Sequence, residues 1–215
     1  MSQERPRRRT YNEPGHAHEL TFSCYHWYRF LAAERTCLWL AEAIEAARVG
    51  SDFALWAFVF MPEHVHLIVW PRRPAYEVAS ILRAIKEPVG RRAASYLARH
   101  APEWLPRVTQ HRGRRTERHF WQPGGGCDRN IIEPRTLSAM IDYVHFNPVR
   151  RGLVERARDW RWSSAAWFEG LEANALIRTR SPRSGRREGG RSSNLREVGP
   201  GHAALCPGHP SASPN

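Results

Sequence analysis

"FALWAFVFMPEHVHLIVW", residues 53–70, decides how the rest of the chain is read. Two runs rich in β-branched and aromatic residues flank Met61-Pro62-Glu63. The break is a tight turn, so the runs form a hairpin. Side chains alternate faces along a strand. Val65, Leu67 and Val69 therefore share one face, and that apolar side is complete without help. His64 and His66 share the other. Two imidazoles on one face can hold a single ion, and His donors suit Mn, Zn, Fe, Ni or Cu better than Mg. Two surface histidines on the wet side of a half-exposed strand would show the same spacing.

Reading outward, "HELTFSCY" (18–25) alternates as a strand, and "FLAAERTCLWLAEAIEAARVG" (30–50) has helical spacing and ends on a glycine. After the hairpin, "YEVASILRAIKEPVGRRAASYLARH" (76–100) reads as a second helix, and "ERHFWQ" (117–122) as a short fourth strand. Gly124, Gly125 and Gly126 read as a flexible turn, and "QHRGRRTERH" (110–119) as a loop. "PRTLSAMIDYVHFN" (134–147) is a third helix with Pro134 at its first position. The order strand, helix, strand, strand, helix, strand, helix predicts an α+β fold. It is the ferredoxin-like split βαβ arrangement: an antiparallel sheet with helices on one face, plus an extra C-terminal helix.

Three segments follow from composition. Residues 1–16 read as a basic flexible arm, 17–170 as one folded domain, and 171–215 as a disordered Arg/Ser/Gly/Pro-rich tail. His16 and His18, at the edge of the arm, read as solvent-facing. The chain has 215 residues, 41% of them hydrophobic, enough for one domain with a real core. A formal net charge of +12 favours a polyanionic partner, nucleic acid or an anionic membrane surface. Lys86 is the only lysine; biased codon usage explains the arginine preference as well as phosphate recognition does. No signal peptide and no transmembrane run is legible, which predicts no membrane partner and a cytoplasmic, nucleoid-associated protein. The four cysteines lack C-x-x-C spacing, in keeping with a reducing compartment.

A second constellation lies in "IDYVHFNPVRRGLV" (141–154). Tyr143 and Asn147, four apart, share one helix face. Tyr143 offers a phenol, a nucleophile once deprotonated or metal-assisted, and Asn147 an amide oxygen acceptable to a hard cation. Pro148 should end the helix near Asn147. Arg150 and Arg151 follow, where they can meet phosphates. A half-buried aromatic and a C-terminal amide would look alike in isolation. Taken with the H-x-H strand and the charge, the set describes a metal-assisted tyrosine nucleophile acting on a phosphodiester.

Five stretches, "FMPEHVHLIV", "LRAIKEPVGRR", "FWQPGGGCDRNI", "YVHFNPVRRGLV" and "WRWSS", occur in the order in which they stand in a known family. Over about residues 18–168 the chain resembles the REP-associated tyrosine transposases of the single-tyrosine HUH superfamily. The resemblance implies that His64 and His66 are metal ligands, that Tyr143 is the catalytic nucleophile, and that Asn147, one helical turn on, is a further metal ligand. It implies Mg2+ or Mn2+ as cofactor and hairpin-bearing single-stranded DNA, such as a REP palindrome, as partner. The implied chemistry is DNA cleavage and rejoining through a 5′-phosphotyrosine, with no nucleotide cofactor, by a monomer or a homodimer. Cys127 stands where the family often has Tyr. Lys86, Arg91 and Arg92 on the second helix, and Arg112, Arg114 and Arg115, are further candidate DNA contacts; each singly fits an ordinary solvated face equally well. Two rival readings are a non-catalytic hairpin-DNA-binding protein derived from a transposase and a water-using metal phosphodiesterase.

Overall fold

The computed structural model describes residues 12–171. The readings of residues 1–11 and 172–215 as arm and tail lie outside them. The chain runs β1 (Ala17–Ser23), α1 (Glu34–Ser51), β2 (Phe53–Phe60), β3 (His64–Pro71), α2 (Val78–His100), α3 (Leu105–Val108), β4 (Thr109–Arg112), β5 (Arg115–Arg118), β6 (Cys127–Ile131), α4 (Pro134–Arg150) and α5 (Ala165–Phe168). β2, β3, β1 and β6 form one antiparallel sheet in that order. With β6 as the fourth strand, this is the expected ferredoxin-like topology.

Alternation sorts the core into two layers. Leu20 and Phe22 of β1 and Val65, Leu67 and Val69 of β3 pack against Leu40 and Ile44 of α1 and Ile81, Ile85 and Val89 of α2. Across the sheet, Ala57, Val59 and Ile68 meet Met140, Ile141 and Val144 of α4. The extra helix thus covers the face opposite α1 and α2. β2 contributes to both layers because its register shifts between Leu55 and Ala57, which flips the later residues. Its outer edge is closed by the aromatic segment after α4: Phe60 N–H donates to the Trp162 carbonyl, and Ser164 N–H to the Phe58 carbonyl.

Five expectations need correction. The fourth strand is not "ERHFWQ" but Cys127–Ile131. Gly126 is its entry point: at φ +76°, a Cβ there would lie 2.2 Å from the Thr21 carbonyl oxygen. The glycine run is therefore where an edge strand closes on β1, not simply a pliable turn. "QHRGRRTERH" is not a loop but largely a separate two-stranded ribbon of β4 and β5. α4 continues past Asn147 to Arg150. Pro148 cannot donate to the Val144 carbonyl, and the Asn147 side-chain amide donates to it instead at 3.3 Å. Finally, His18 is fully buried, its Nδ1 2.8 Å from Asp128 Oδ1 and its Nε2 2.7 Å from the Tyr76 hydroxyl. His16 is half-buried, 3.1 Å from the Asn130 amide. Residues 12–16 are tied down around them: Val78 N–H donates to Asn12 Oδ1, Tyr76 O–H to the Glu13 carbonyl and Trp70 Nε1–H to the Gly15 carbonyl.

Candidate active site

Strand alternation puts His64 and His66 on the α4 side of β3, their ring centroids 4.9 Å apart and nearly perpendicular. Both are buried, at 1% and 4% exposure, so they are not a solvated pair. Each Nδ1 faces a carboxylate: His64 lies 3.2 Å from Glu63 Oε1, and His66 3.1 Å from Glu19 Oε1. Thr21 Oγ1 is 2.9 Å from the same His66 nitrogen and donates its hydroxyl hydrogen to Glu19. His66 Nδ1 must then carry a hydrogen in both contacts. That tautomer leaves a lone pair on Nε2, which is buried with no hydrogen-bond partner among the described residues. A carboxylate behind one ring nitrogen and an unspent lone pair on the other is the donor arrangement of metal-bound imidazole.

Charge balance follows from the same contacts. Burial pushes the carboxyl of Glu19 up, but hydrogen bonding and charge from His66 outweigh it and hold it below the ordinary value. Glu63 is likewise raised by burial and lowered on balance by His64 and Arg151, whose guanidinium sits 3.0 Å from Glu63 Oε1. Among the described residues no group of three or more His, Cys, Asp and Glu is arranged to hold a metal.

α4 supplies the phenol. Tyr143 is half-buried, with its ring centroid 6.0 Å from that of His66. Burial raises its pKa, the nearby Arg150 and Arg129 charges pull the other way, and Glu19 adds to the rise. The Arg150 guanidinium lies 4.1 Å from the Tyr143 ring centroid and donates to the Tyr143 carbonyl at 2.7 Å. Asn147, one turn on and buried, donates through Nδ2 to the Tyr143 and Val144 carbonyls; neither bond uses Oδ1.

The structure thus gathers His64, His66, Tyr143, Asn147, Arg150 and Arg151 into one region and places the other basic candidates elsewhere. Lys86 extends from α2 and donates to the Gln122 and Gly124 carbonyls, 3.3 and 2.8 Å away; burial lowers its pKa to about 8. Arg91 pairs with Glu87 on its own helix, and Arg92 with Glu42 of α1. Arg112, Arg114 and Arg115 belong to the ribbon and its turn. Sequence reasoning missed Glu19 and Thr21, although their spacing in "HELTF" is the same two-residue alternation. Only the register, which pairs Thr21 with His66, makes them neighbours of the site. It also missed Trp27, whose ring lies 6.1 Å from that of His64. Trp27 and His26 both adopt positive φ, at 58° and 49°. Two consecutive left-handed non-glycine residues are strained, and no sequence pattern announces them.

A solved structure of a REP-associated tyrosine transposase bound to a REP hairpin superposes on the chain with a TM-score of 0.59 at 21% identity, covering 88% of this chain and all of that one. The fold is that of a REP-associated tyrosine transposase. The resemblance read from the five motifs is borne out in sequence as well. A Haemophilus influenzae protein provisionally named a REP-associated tyrosine transposase is 23% identical over 146 residues, 65% of this chain and 78% of that protein. A transposase of Deinococcus radiodurans R1, also provisionally named, matches 67% of this chain and 95% of its own at 17% identity, with a TM-score of 0.41. No family model matches the chain. Among the described residues no helix is long and apolar enough to cross a membrane.

Proposed function

We propose that this protein is a REP-associated tyrosine transposase that cuts and rejoins single-stranded DNA beside a hairpin, with Tyr143 as nucleophile. One observation carries the reading: the Tyr143 ring stands 6.0 Å from that of His66, and the outward nitrogen of His66 is buried with no hydrogen-bond partner among the described residues. His64 and His66 would hold a divalent ion, with Asn147 Oδ1 a further oxygen donor. When bound, Mg2+ or Mn2+ would supply charge neutralisation at the scissile phosphate.

The chain's own groups account for the rest. Tyr143 Oη forms a bond to phosphorus as the bond from phosphorus to the 3′ oxygen breaks, leaving a 5′-phosphotyrosine and a 3′-hydroxyl. The phenolic proton leaves Tyr143, and the departing 3′ oxygen ends protonated. One phosphodiester replaces another, so the step reverses without a nucleotide cofactor. Burial keeps the phenol protonated at rest, while Arg150 over the ring favours the anion as it forms. Arg150 and Arg151 border the pair where a phosphate would enter. All these groups belong to one chain, so a monomer could assemble the site.

Incubating the protein with a hairpin-bearing single strand and Mn2+, then running a denaturing gel, tests the reading. A shifted protein–DNA band that disappears in Tyr143→Phe is the expected result. An adduct surviving in Tyr143→Phe removes this residue from the role. Hairpin binding without any adduct favours the non-catalytic alternative, and hydrolysed ends without an adduct favour the water-using phosphodiesterase.

A further inference from the structure

His64 and His66 are backed in the same way, yet the two arrangements end differently. His64 Nδ1 faces Glu63, and Arg151 holds Glu63 at 3.0 Å. His66 Nδ1 faces Glu19, and behind Glu19 stands Arg129 of β6, its Nε 4.0 Å from Glu19 Oε2. Each imidazole thus heads a chain of carboxylate and guanidinium. Arg151 is committed to its carboxylate. Arg129 stands beyond hydrogen-bonding range of Glu19, its side chain 34% exposed. It turns toward α4 and donates to Met140 Sδ at 3.6 Å. A thioether is a weak acceptor. Met140 lies one turn before Tyr143, and the charge of Arg129 acts on the phenol.

We infer that Arg129 is a phosphate-positioning residue: its guanidinium holds the phosphoryl group that Tyr143 attacks, first in the strand and then in the 5′-phosphotyrosine. The inference rests on the function proposed above and deepens it by assigning a contact to the scissile group from the edge of the sheet. No bond is made or broken at Arg129; it donates N–H groups to the non-bridging oxygens before and after transfer. The charge balance asks for such a residue. Glu19, 3% exposed, sets a negative charge directly behind His66, and unscreened it would repel an incoming phosphate. Arg129 offsets that charge on the side facing α4. Its planar fork suits two phosphate oxygens at once.

Register supports it too. Gly126 lets β6 close on β1, and the pairing sets Arg129 opposite Glu19. On the other face of the same strand, Asp128 lies 2.8 Å from the buried His18, and Asn130 3.1 Å from His16. Those contacts hold β6 in place from behind. A slip of one residue would turn Asp128 toward Tyr143 and exchange a cation for an anion beside the phosphate. The His18–Asp128 pair, remote from the reacting atoms, thereby fixes which charge faces the tyrosine.

The test compares the full-length wild type with Arg129→Gln and Arg129→Lys. The wild-type adduct maps the linkage that is cut, and a second hairpin-bearing strand carries an uncharged methylphosphonate at that linkage. Fluorescence anisotropy without metal follows binding of both strands. Adduct formation with Mn2+ is timed in single turnover, and Mn2+ affinity is measured by calorimetry on the DNA-free protein. Arg129→Gln should form the adduct about 100-fold more slowly. Arg129→Lys, with a point charge in place of the fork, should fall between it and wild type. The methylphosphonate should weaken wild-type binding about tenfold and Arg129→Gln binding distinctly less. Mn2+ affinity should not change. Arg129→Met, which keeps the apolar stem, repeats the comparison if the glutamine variant melts below wild type. A wild-type rate in the neutral variant, or an equal methylphosphonate penalty in both proteins, overturns the role. So does Mn2+ affinity that falls in step with the rate, because Arg129 would then act only through Glu19 and His66. A wild-type adduct alongside any of these leaves the proposed function standing. A wild type that forms no adduct overturns both.

Discussion

One strand shows both sides of this molecule. On the face of β3 toward α1 and α2, Val65, Leu67 and Val69 are sealed in hydrocarbon. On the face toward α4, His64 and His66 are as deeply buried, but among carboxylates, a hydroxyl and a phenol. Burial alone therefore does not separate core from chemistry here. The difference is in what each atom touches. The apolar face leaves no polar group wanting, whereas the polar face satisfies each Nδ1 and aims buried imidazole at a tyrosine. The first face stabilises the sheet that holds the second in register.

The comparison can be broken by substitutions that move one face without the other. Leu67→Ala should cost the most, about 2–5 kcal/mol of folding stability by urea denaturation. It should leave adduct formation per folded molecule unchanged at low temperature. If activity instead fell while stability held, the two faces would not be separable as described. Gly126→Ala should cost about 1–3 kcal/mol, because the residue sits at positive φ and the new methyl meets the Thr21 backbone. A melting temperature equal to wild type would show that β6 can shift freely and that its register is not fixed there. Glu19→Gln should sharpen the contrast. It removes the negative charge behind His66 and keeps the shape, so Mn2+ affinity measured by calorimetry on the DNA-free protein should fall about 10–100-fold. Wild-type affinity in this variant would mean the carboxylate does not orient the imidazole.

The order of helices and strands was legible wherever burial imposes a period. The hairpin and its histidines could be read because one face is continuously apolar and the other is not. The first two long helices could be read for the same reason. The fourth strand could not, because "CDRNI" lies at a sheet edge, half-exposed through its first four residues, and carries little hydrophobic alternation. The ribbon was missed for a related reason: β5 buries nothing, so arginines replace any pattern. Tyr143 and Asn147 were placed together by helical spacing. Glu19 and Thr21 were not placed at all, since pairing register depends on contacts between distant segments and leaves no local mark. His18 failed differently. Its neighbours in sequence look like an arm, and only Asp128 and Tyr76, far along the chain, make a buried imidazole tolerable there.

Asn147 carries a constraint beyond any cation it would bind. Its amide hydrogens complete the helix where proline breaks the ladder. An acidic side chain in that place would set a negative oxygen against two backbone carbonyls. The amide nitrogen thus mends the backbone where Pro148 cannot donate, and neither of its bonds uses Oδ1. A change at this residue would loosen the end of the helix that carries Tyr143.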